Sequence, residues 1–303
     1  MIAENKFSKI VALWKEDKKQ YVKRSTFAAY TLLIENHILP SFGEMALVEE
    51  QDVQTFVFRK LNEGLSHKTI KDILIVLKMI LRFGAKNQMT EYRQIDIKFP
   101  TERDKHSIDI LNRSHQKQIM EYIRLHFTFK NLGIYICLSA GMRIGEICAL
   151  TWDDLDVENG IIHVRKTIQR IYVIEEHRKY TEVILDTPKT KNSIREIPMT
   201  KNLLKMIRPI KKIVNGNFYV LTNEPKPTEP RTYRNYYKQF MQSLGLPLIK
   251  FHGLRHSFAT RCIESKCDYK TVSVLLGHSN ISTTLNLYVH PNLEQKKRCM
   301  EQM

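Results

Sequence analysis

The sequence predicts a mainly α protein in two parts: an N-terminal four-helix bundle, then a mostly helical domain that holds a small antiparallel three-stranded sheet. Three observations predict it. Apolar residues recur at helical spacing through nearly all of residues 1–98. The period lapses over residues 99–110, around Pro100, which reads as a linker. From residue 111 to 303 helical patterns resume, interrupted by short alternating segments between residues 160 and 198. A chain of 303 residues favours about two domains, and 43% hydrophobic content is enough for packed cores.

The elements follow in order. Phe7, Ile10, Val11 and Trp14 form the stripe of a first amphipathic helix. Ser25 or Thr26 is suited to cap a second, with Phe27, Tyr30, Leu33 and Ile34 inward and Pro40 and Gly43 ending it. A third runs from about Asp52 to Leu61, before Gly64. Ser66 opens a fourth, with Ile70, Ile73, Leu74, Leu77, Ile80 and Leu81 on one side and Lys68, Lys71, Lys78, Arg82 and Lys86 recurring on it. In the second part, helical patterns cover 113–126 and 130–150. Segments 160–166, 182–187 and 194–198 read as short strands, and helices return near 201–214, 231–244, 254–265 and 269–277.

Charge narrows the partner. The formal charge is +16, with 48 Lys and Arg against 32 Asp and Glu. Residues 1–105 carry a net +4 and residues 106–303 a net +12, so the positive field is concentrated in the second part. A polyanion is the first partner to consider. The start, M-I-A-E-N-K-F, has no apolar signal core. The strongest apolar stretch, Ile73 to Leu81, is nine residues long and contains Lys78, against about 20 for a membrane span. Five scattered cysteines with no C-x-x-C suggest a reduced, cytoplasmic chain.

Four motifs carry chemistry. A-G-M-R-I-G-E (140–146) sets Arg143 and Glu146 at i, i+3, and glycines on either side of the arginine suggest a turn near a site. F-H-G-L-R-H (251–256) sets His252 and Arg255 at i, i+3, joining a proton-transfer group to a planar fork for phosphate oxygens. His252 and His256 could pair on zinc, but Gly253 stands where a zinc protease has its glutamate base. L-G-H-S (276–279) is followed, ten residues after His278, by Tyr288. T-P-K-T-K-N-S-I-R-E-I-P (187–198) reads as a tight hairpin with Lys189 and Lys191 near its tip.

In this order the motifs resemble the tyrosine recombinases, or phage integrase family, over nearly the whole chain. H-G-L-R-H-S-F-A-T, L-L-G-H-S, T-T-L-N-L-Y and T-W-D-D-L-D (151–156) add to the likeness. The resemblance implies a core DNA-binding domain over 1–98 and a catalytic domain over 111–303. It implies Arg143 and Arg255 as phosphate clamps, His252 for proton transfer, and Lys189 as the acid to the leaving oxygen, with Lys191 the alternative. It further implies His278 on the phosphate, Tyr288 as nucleophile and Glu146 as a support. Tyr288 is preferred over Tyr269 by its T-T-L-N-L-Y context. The pattern begins almost at residue 1, which suggests the two-domain type without an N-terminal arm-binding domain.

The activity implied by the resemblance is that of a site-specific recombinase or integrase, which cleaves and rejoins DNA through a 3′-phosphotyrosyl intermediate and a Holliday junction. It would need no metal, ATP or other cofactor. Its partners would be double-stranded DNA bearing a specific site, three further copies on that DNA, and accessory directionality proteins. It would grip the duplex as a C-shaped clamp and act in the bacterial cytoplasm at the nucleoid. The physics agrees. Two guanidinium groups hold phosphate oxygens and stay charged, while a basic site eases ionisation of a phenol whose ordinary pKa is about 10. Competing readings are a type IB topoisomerase, a non-enzymatic DNA-binding protein, and a metal-dependent nuclease using Asp153, Asp154 and Asp156.

Overall fold

The computed structural model describes residues 6–91, 94–101, 109–175, 178–187, 191–288 and 300–301. The chain separates into two compact units. One comprises residues 1–105 with 171–182, the other residues 106–170 with 183–303.

The first unit is the expected helical bundle, with four main helices and a short fifth that continues the second. Helix α1 (Phe7–Lys19) buries the stripe Phe7, Ile10, Val11 and Trp14. Helix α2 (Arg24–Leu33) starts before the expected cap: Lys23 precedes it, and Ser25 lies inside, buried. Of the expected inward residues, Ile34 is fully buried and Tyr30 and Leu33 pack against the core, Tyr30 beside Trp14 with ring centroids 5.9 Å apart; Phe27 is part-exposed, and Ser25, Ala28 and Thr31 are buried as well. Pro40 does not end this helix. A π-helical turn (Ile34–Ile38) follows α2 directly and leads into the short α3 (Leu39–Phe42), with Pro40 in its first turn. A proline ring clashes with the carbonyl four residues before it, and a wider turn relieves that clash. Gly43 then closes the segment.

Helix α4 (Glu50–Asn62) opens with Glu49 and Asp52 in a reciprocal cap and ends before Gly64, whose φ is +85°. Helix α5 (His67–Lys86) is capped by the Ser66 hydroxyl, which accepts from the Thr69 N–H at 3.2 Å. All six apolar residues expected on its inner side are buried. Lys78 donates to the Ile95 carbonyl at 2.8 Å, so one of the five basic residues on α5 is spent on the fold.

The second unit is built on α7 (Phe129–Ala140), buried from Asn131 to Ala140. It packs between α6 (Arg113–Leu125) and α11 (His252–Glu264). The expected helix over 130–150 is two helices, α7 and α8 (Ile144–Ala149), because Gly141 takes a left-handed φ of +62° and turns the chain between them.

The three-stranded sheet is present with altered membership. Strand β2 (Ile161–Val164) lies between β1 (Leu155–Asp156) and β5 (Arg195–Pro198), both antiparallel to it. The expected strand at 182–187 instead belongs to a separate two-stranded sheet, β3 (Thr167–Glu175) with β4 (Arg178–Asp186). The strands that flank T-P-K-T-K, β4 and β5, lie in different sheets, and residues 188–190 at the expected hairpin tip lie outside the described residues. The outer segment 171–182 groups with the first unit, where Arg24 grips Glu182 with two hydrogen bonds.

Helices α9 (Lys201–Lys211), α10 (Pro230–Ser243), α12 (Tyr269–Leu276) and α13 (Ser282–Tyr288) complete the unit. Its core gathers Trp152, Tyr135, Tyr233, Tyr237, Phe251 and Leu254 around α7. Among the described residues no helix is long and apolar enough to cross a membrane.

Candidate active site

The site is assembled where helices α7 and α12 end and α8 and α11 begin. Arg143 is the residue just before α8, with extended backbone, and Glu146 lies in the first turn. The Glu146 carboxylate accepts from the Arg143 backbone N–H at 2.8 Å and from its guanidinium at 2.8 Å. The i, i+3 pair in the sequence is thus a helix cap as well as an ion pair. Glu146 has a second and more buried partner. Strand β5 alternates inward and outward, so Arg195 and Ile197 both face in, and Arg195 forks onto both Glu146 oxygens at 2.9 and 3.0 Å. Burial pushes the Glu146 carboxyl up, but the Arg195 hydrogen bonds and charge and the nearby Arg143 outweigh it and hold its pKa at about 2.

Arg255 is almost wholly buried, 1% exposed, on the first turn of α11. One terminal nitrogen donates to the Gly141 carbonyl at 2.7 Å and the other to the Leu276 carbonyl at 2.6 Å. Its buried Nε has no partner among the described residues. Burial and the charge of Arg143 push its pKa down, yet a guanidinium remains charged at any working pH.

Helix α12 organises all three arginines. It ends at Gly277, φ +64°, and the turn uses the carbonyls of Ser273 and Val274 to accept from the next backbone N–H groups. The following three carbonyls each take an arginine: Leu275 accepts from Arg195 at 2.7 Å, Leu276 from Arg255, and Gly277 from Arg143 at 3.0 Å. The carbonyl end of a helix carries partial negative charge, which favours three cations that otherwise repel.

His278 follows directly, and its Nδ1 is 2.9 Å from the hydroxyl of the fully buried Thr284 on α13. Burial, Arg255 and Arg143 hold the His278 pKa near 4. His252 keeps an exposed edge at the start of α11; burial of the rest of the ring and the neighbouring His256, Arg255 and Arg143 hold its pKa near 4 too. Both rings are therefore neutral at pH 7. Tyr288 ends α13, half-buried against Ala259, Val272 and Leu276. Its hydroxyl is 2.5 Å from His256 Nδ1, and burial raises its pKa to about 12 against the opposing charge of Arg255. An open pocket of about 410 Å³ borders the site, lined by Arg143, Glu146, Thr167, Gln169, Gly277 and His278.

The structure thus brings together Arg143, Glu146, His252, Arg255, His278 and Tyr288. Tyr269 is exposed at the start of α12. Lys189 lies outside the described residues; Lys191 begins a short 3-10 turn that runs to Ser193. Arg195 and Thr284 were missed in the sequence, and His256 was weighed there only as a zinc partner of His252. Arg195 left a signal, a charge on the inward phase of an alternating strand, and His256 left its i, i+4 spacing from His252.

Asp153, Asp154 and Asp156 are structural. Asp154 is buried and caps Thr151, Asp153 lies 3.4 Å from Lys211, and Asp156 makes a turn with Asn159. Among the described residues no three His, Cys, Asp or Glu side chains cluster as metal ligands would.

Residues 109–295 match the model of the phage integrase family, and residues 6–60 match the N-terminal SAM-like domain of phage integrases. The chain belongs to the phage integrase family. It is a tyrosine-type site-specific recombinase. A tyrosine recombinase XerC-like protein of Caldanaerobacter subterraneus subsp. tengcongensis is 32% identical over 305 residues, covering 92% of this chain and 77% of the relative. The ICEBs1 integrase of Bacillus subtilis is 24% identical, covering 87% and 74%. Among solved structures, the Tn1549 transposon integrase in complex with transposon right end DNA shares the fold, with a TM-score of 0.80 at 23% identity over 98% of this chain and 99% of that one. A lambda integrase tetramer bound to a Holliday junction gives 0.65 at 16% identity, covering 96% and 80%.

Within this recombinase, Gly141 can be tested directly. A Cβ there would approach the Phe258 ring to 2.4 Å, at a φ that disfavours L side chains. Gly141→Ala is expected to cost more than about 1 kcal/mol, lowering the thermal midpoint by roughly 3 °C or more. An unchanged midpoint would refute this account of the turn.

Proposed function

We propose that this recombinase cleaves a DNA strand by attack of the Tyr288 oxygen on a backbone phosphorus. The P–O5′ bond breaks, the strand's 3′ phosphate stays on Tyr288, and the 5′ oxygen leaves as a hydroxyl. Arg143 and Arg255 clamp the two non-bridging oxygens, where charge builds in the transition state. His278 donates a further hydrogen bond. Lys189, or Lys191 two residues on, protonates the leaving oxygen, aided by His252. Glu146 holds Arg143 in position. Arrival of the phosphate anion raises the pKa of both neutral histidines, so each becomes a better proton carrier only when DNA is bound.

The observation that carries this reading is the convergence of Tyr288, Arg255, Arg143 and two neutral histidines, with the Arg255 Nε buried and unused. A metal ion has no task left in such a site, because two fixed guanidinium groups already neutralise the phosphate. The phosphotyrosyl bond stores the energy of the broken linkage, so a 5′ hydroxyl from another strand can reseal it without ATP.

Residues 1–98 serve as the core DNA-binding domain and 111–303 as the catalytic domain. Exchange between two duplexes needs four active sites, hence a tetramer on DNA and a Holliday junction between the two rounds of cleavage. Solved relatives that are bound to DNA, one of them a tetramer on a Holliday junction, support this assembly.

The test is covalent capture. Nicked duplexes spanning the DNA that flanks the gene are incubated with the protein in EDTA. A denaturation-resistant protein–DNA band is expected, removed by protease and carrying the 3′ end of the cut strand. Cleavage that requires a divalent metal, or that never leaves protein attached, would overturn the proposal.

A further inference from the structure

His256 has no part in the cleavage chemistry assigned to Tyr288, the two arginines and the leaving-group acid, yet it is hydrogen-bonded to the hydroxyl of the nucleophile. Its Nδ1 is 2.5 Å from the Tyr288 hydroxyl, and the two ring centroids are 5.6 Å apart. It follows Arg255 directly on α11, so one helical turn carries both a phosphate clamp and this imidazole. His252, one turn earlier, meets the same imidazole edge-on, with centroids 4.6 Å apart. The groups that act on His256 are therefore Arg255 and His252 on its own helix and Tyr288 on α13.

The chemistry of the pair is constrained. A neutral imidazole has one acceptor nitrogen, and the phenol is the more acidic partner, so Tyr288 donates to Nδ1. A pKa of about 12 leaves on the order of one Tyr288 in 10⁵ ionised at pH 7. Attack thus needs a group that removes the proton as the bond to phosphorus forms. Burial and Arg255 push the His256 pKa down, so its lone pair is available at neutral pH.

We propose that His256 takes the Tyr288 hydroxyl proton as the tyrosine attacks, and returns it when the strand is rejoined. In cleavage the Tyr288 O–H bond breaks toward Nδ1, the Tyr288 O–P bond forms, and the P–O5′ bond breaks. The leaving oxygen takes its proton from the separate acid, Lys189 or Lys191. In rejoining, an incoming 5′ hydroxyl gives its proton to that acid, now deprotonated, and the His256 imidazolium gives its proton back to the departing phenolate. The inference rests on Tyr288 being the nucleophile.

The test uses His256→Ala and His256→Gln in single-turnover adduct formation from pH 6 to 9. Each is assayed on an ordinary substrate and on one whose leaving 5′ oxygen is replaced by sulfur, which departs without an acid. Both variants are expected to be slower than wild type by about 10²-fold or more at pH 7. Glutamine can accept the hydrogen bond but cannot keep the proton, so it separates proton transfer from positioning and guards against a misfolded alanine variant. Rates of both variants should climb about tenfold per pH unit, as hydroxide replaces the base, and added imidazole should restore part of the alanine variant's rate. Sulfur should rescue whichever of the Lys189→Ala and Lys191→Ala controls has lost the acid, and leave both His256 variants slow. Wild-type rates in His256→Ala across the pH range would overturn the proposal. So would full activity in His256→Gln, or rescue of either variant by sulfur, which would put the histidine on the leaving group. Failure of wild-type protein to form any adduct, or an adduct formed by Tyr288→Phe, would instead overturn the parent reading.

Discussion

Tyr288→Phe protein is expected to form no covalent DNA adduct while folding and binding DNA much as wild type does. The substitution deletes one oxygen and keeps the ring that packs on Ala259, Val272 and Leu276. The structural loss is one half-buried hydrogen bond, to His256, worth about 1 kcal/mol. The chemical loss is the attacking atom, which no neighbouring group among the described residues replaces: Tyr269 is exposed at the far end of α12, and the cysteines on α7 and α8 are buried thiols whose pKa values are pushed up by burial. Adduct formation should therefore fall by at least about 10⁴-fold, while DNA affinity read by gel shift stays within about threefold. Tyr269→Phe is the matched control and should cleave normally. Persistence of the adduct in Tyr288→Phe, or its loss in Tyr269→Phe, would remove Tyr288 from the proposed role.

Glu146→Gln should produce the largest loss of stability of any single polar substitution in the site. The carboxylate is almost wholly buried and is the shared anion of Arg143 and Arg195, whose side chain is only 4% exposed. Removing its charge leaves Arg195 buried without a counter-charge, a change that costs about 3–5 kcal/mol. In a unit of this size that is a fall in thermal midpoint on the order of 10 °C. The same pair predicts a pH dependence with a definite sign. Glu146 is depressed in the folded state, from 4.5 to about 2, so its contribution is complete above pH 4.5 and is lost as pH falls from 4.5 toward 2. A wild-type midpoint that drops across that window, and a variant midpoint that drops less, is the expected pattern from calorimetry. Pairing Glu146→Gln with Arg195→Met should recover part of the stability, because the buried Arg195 charge goes with its partner and only the part-exposed Arg143 is left without a carboxylate, but not cleavage. Equal stability of Glu146→Gln and wild type at pH 7 would show that the arginines find other partners.

Helices with a strong apolar period were legible in the sequence. Helix α5 shows why: a serine cap at Ser66 and six apolar residues on one side are local signals, and local signals decided that element. Where the sequence misled, the deciding contact was distant or the element was brief. Pro40 reads as a stop, but a π turn widens the helix ahead of it, which no residue type announces. Strand β1 has two residues and exists only through its pairing with β2. Helix α13, with the polar sequence S-T-T-L-N-L-Y, has little period of its own; it is held where Thr284 meets His278 and Tyr288 meets α11 and α12. In the site, the Arg143–Glu146 spacing and the turn at Gly141 could be read directly. The third member of the cluster, Arg195, lies 49 residues from Glu146, and its place depends on which phase of β5 faces inward.

The three arginines at the end of α12 bind main-chain oxygens, and that has a consequence for how the site tolerates change. Replacing Leu275 or Leu276 with another residue leaves the acceptor in place, because every residue type brings a carbonyl. The fragile quantity is the helix's course, so variants that bend or unwind its last turn should displace three cations at once, while side-chain swaps there act only through packing. Drift in this segment should thus be permissive in identity and strict in shape, and a recombinase of altered specificity could be sought by varying the rest of the domain around an untouched α12 terminus.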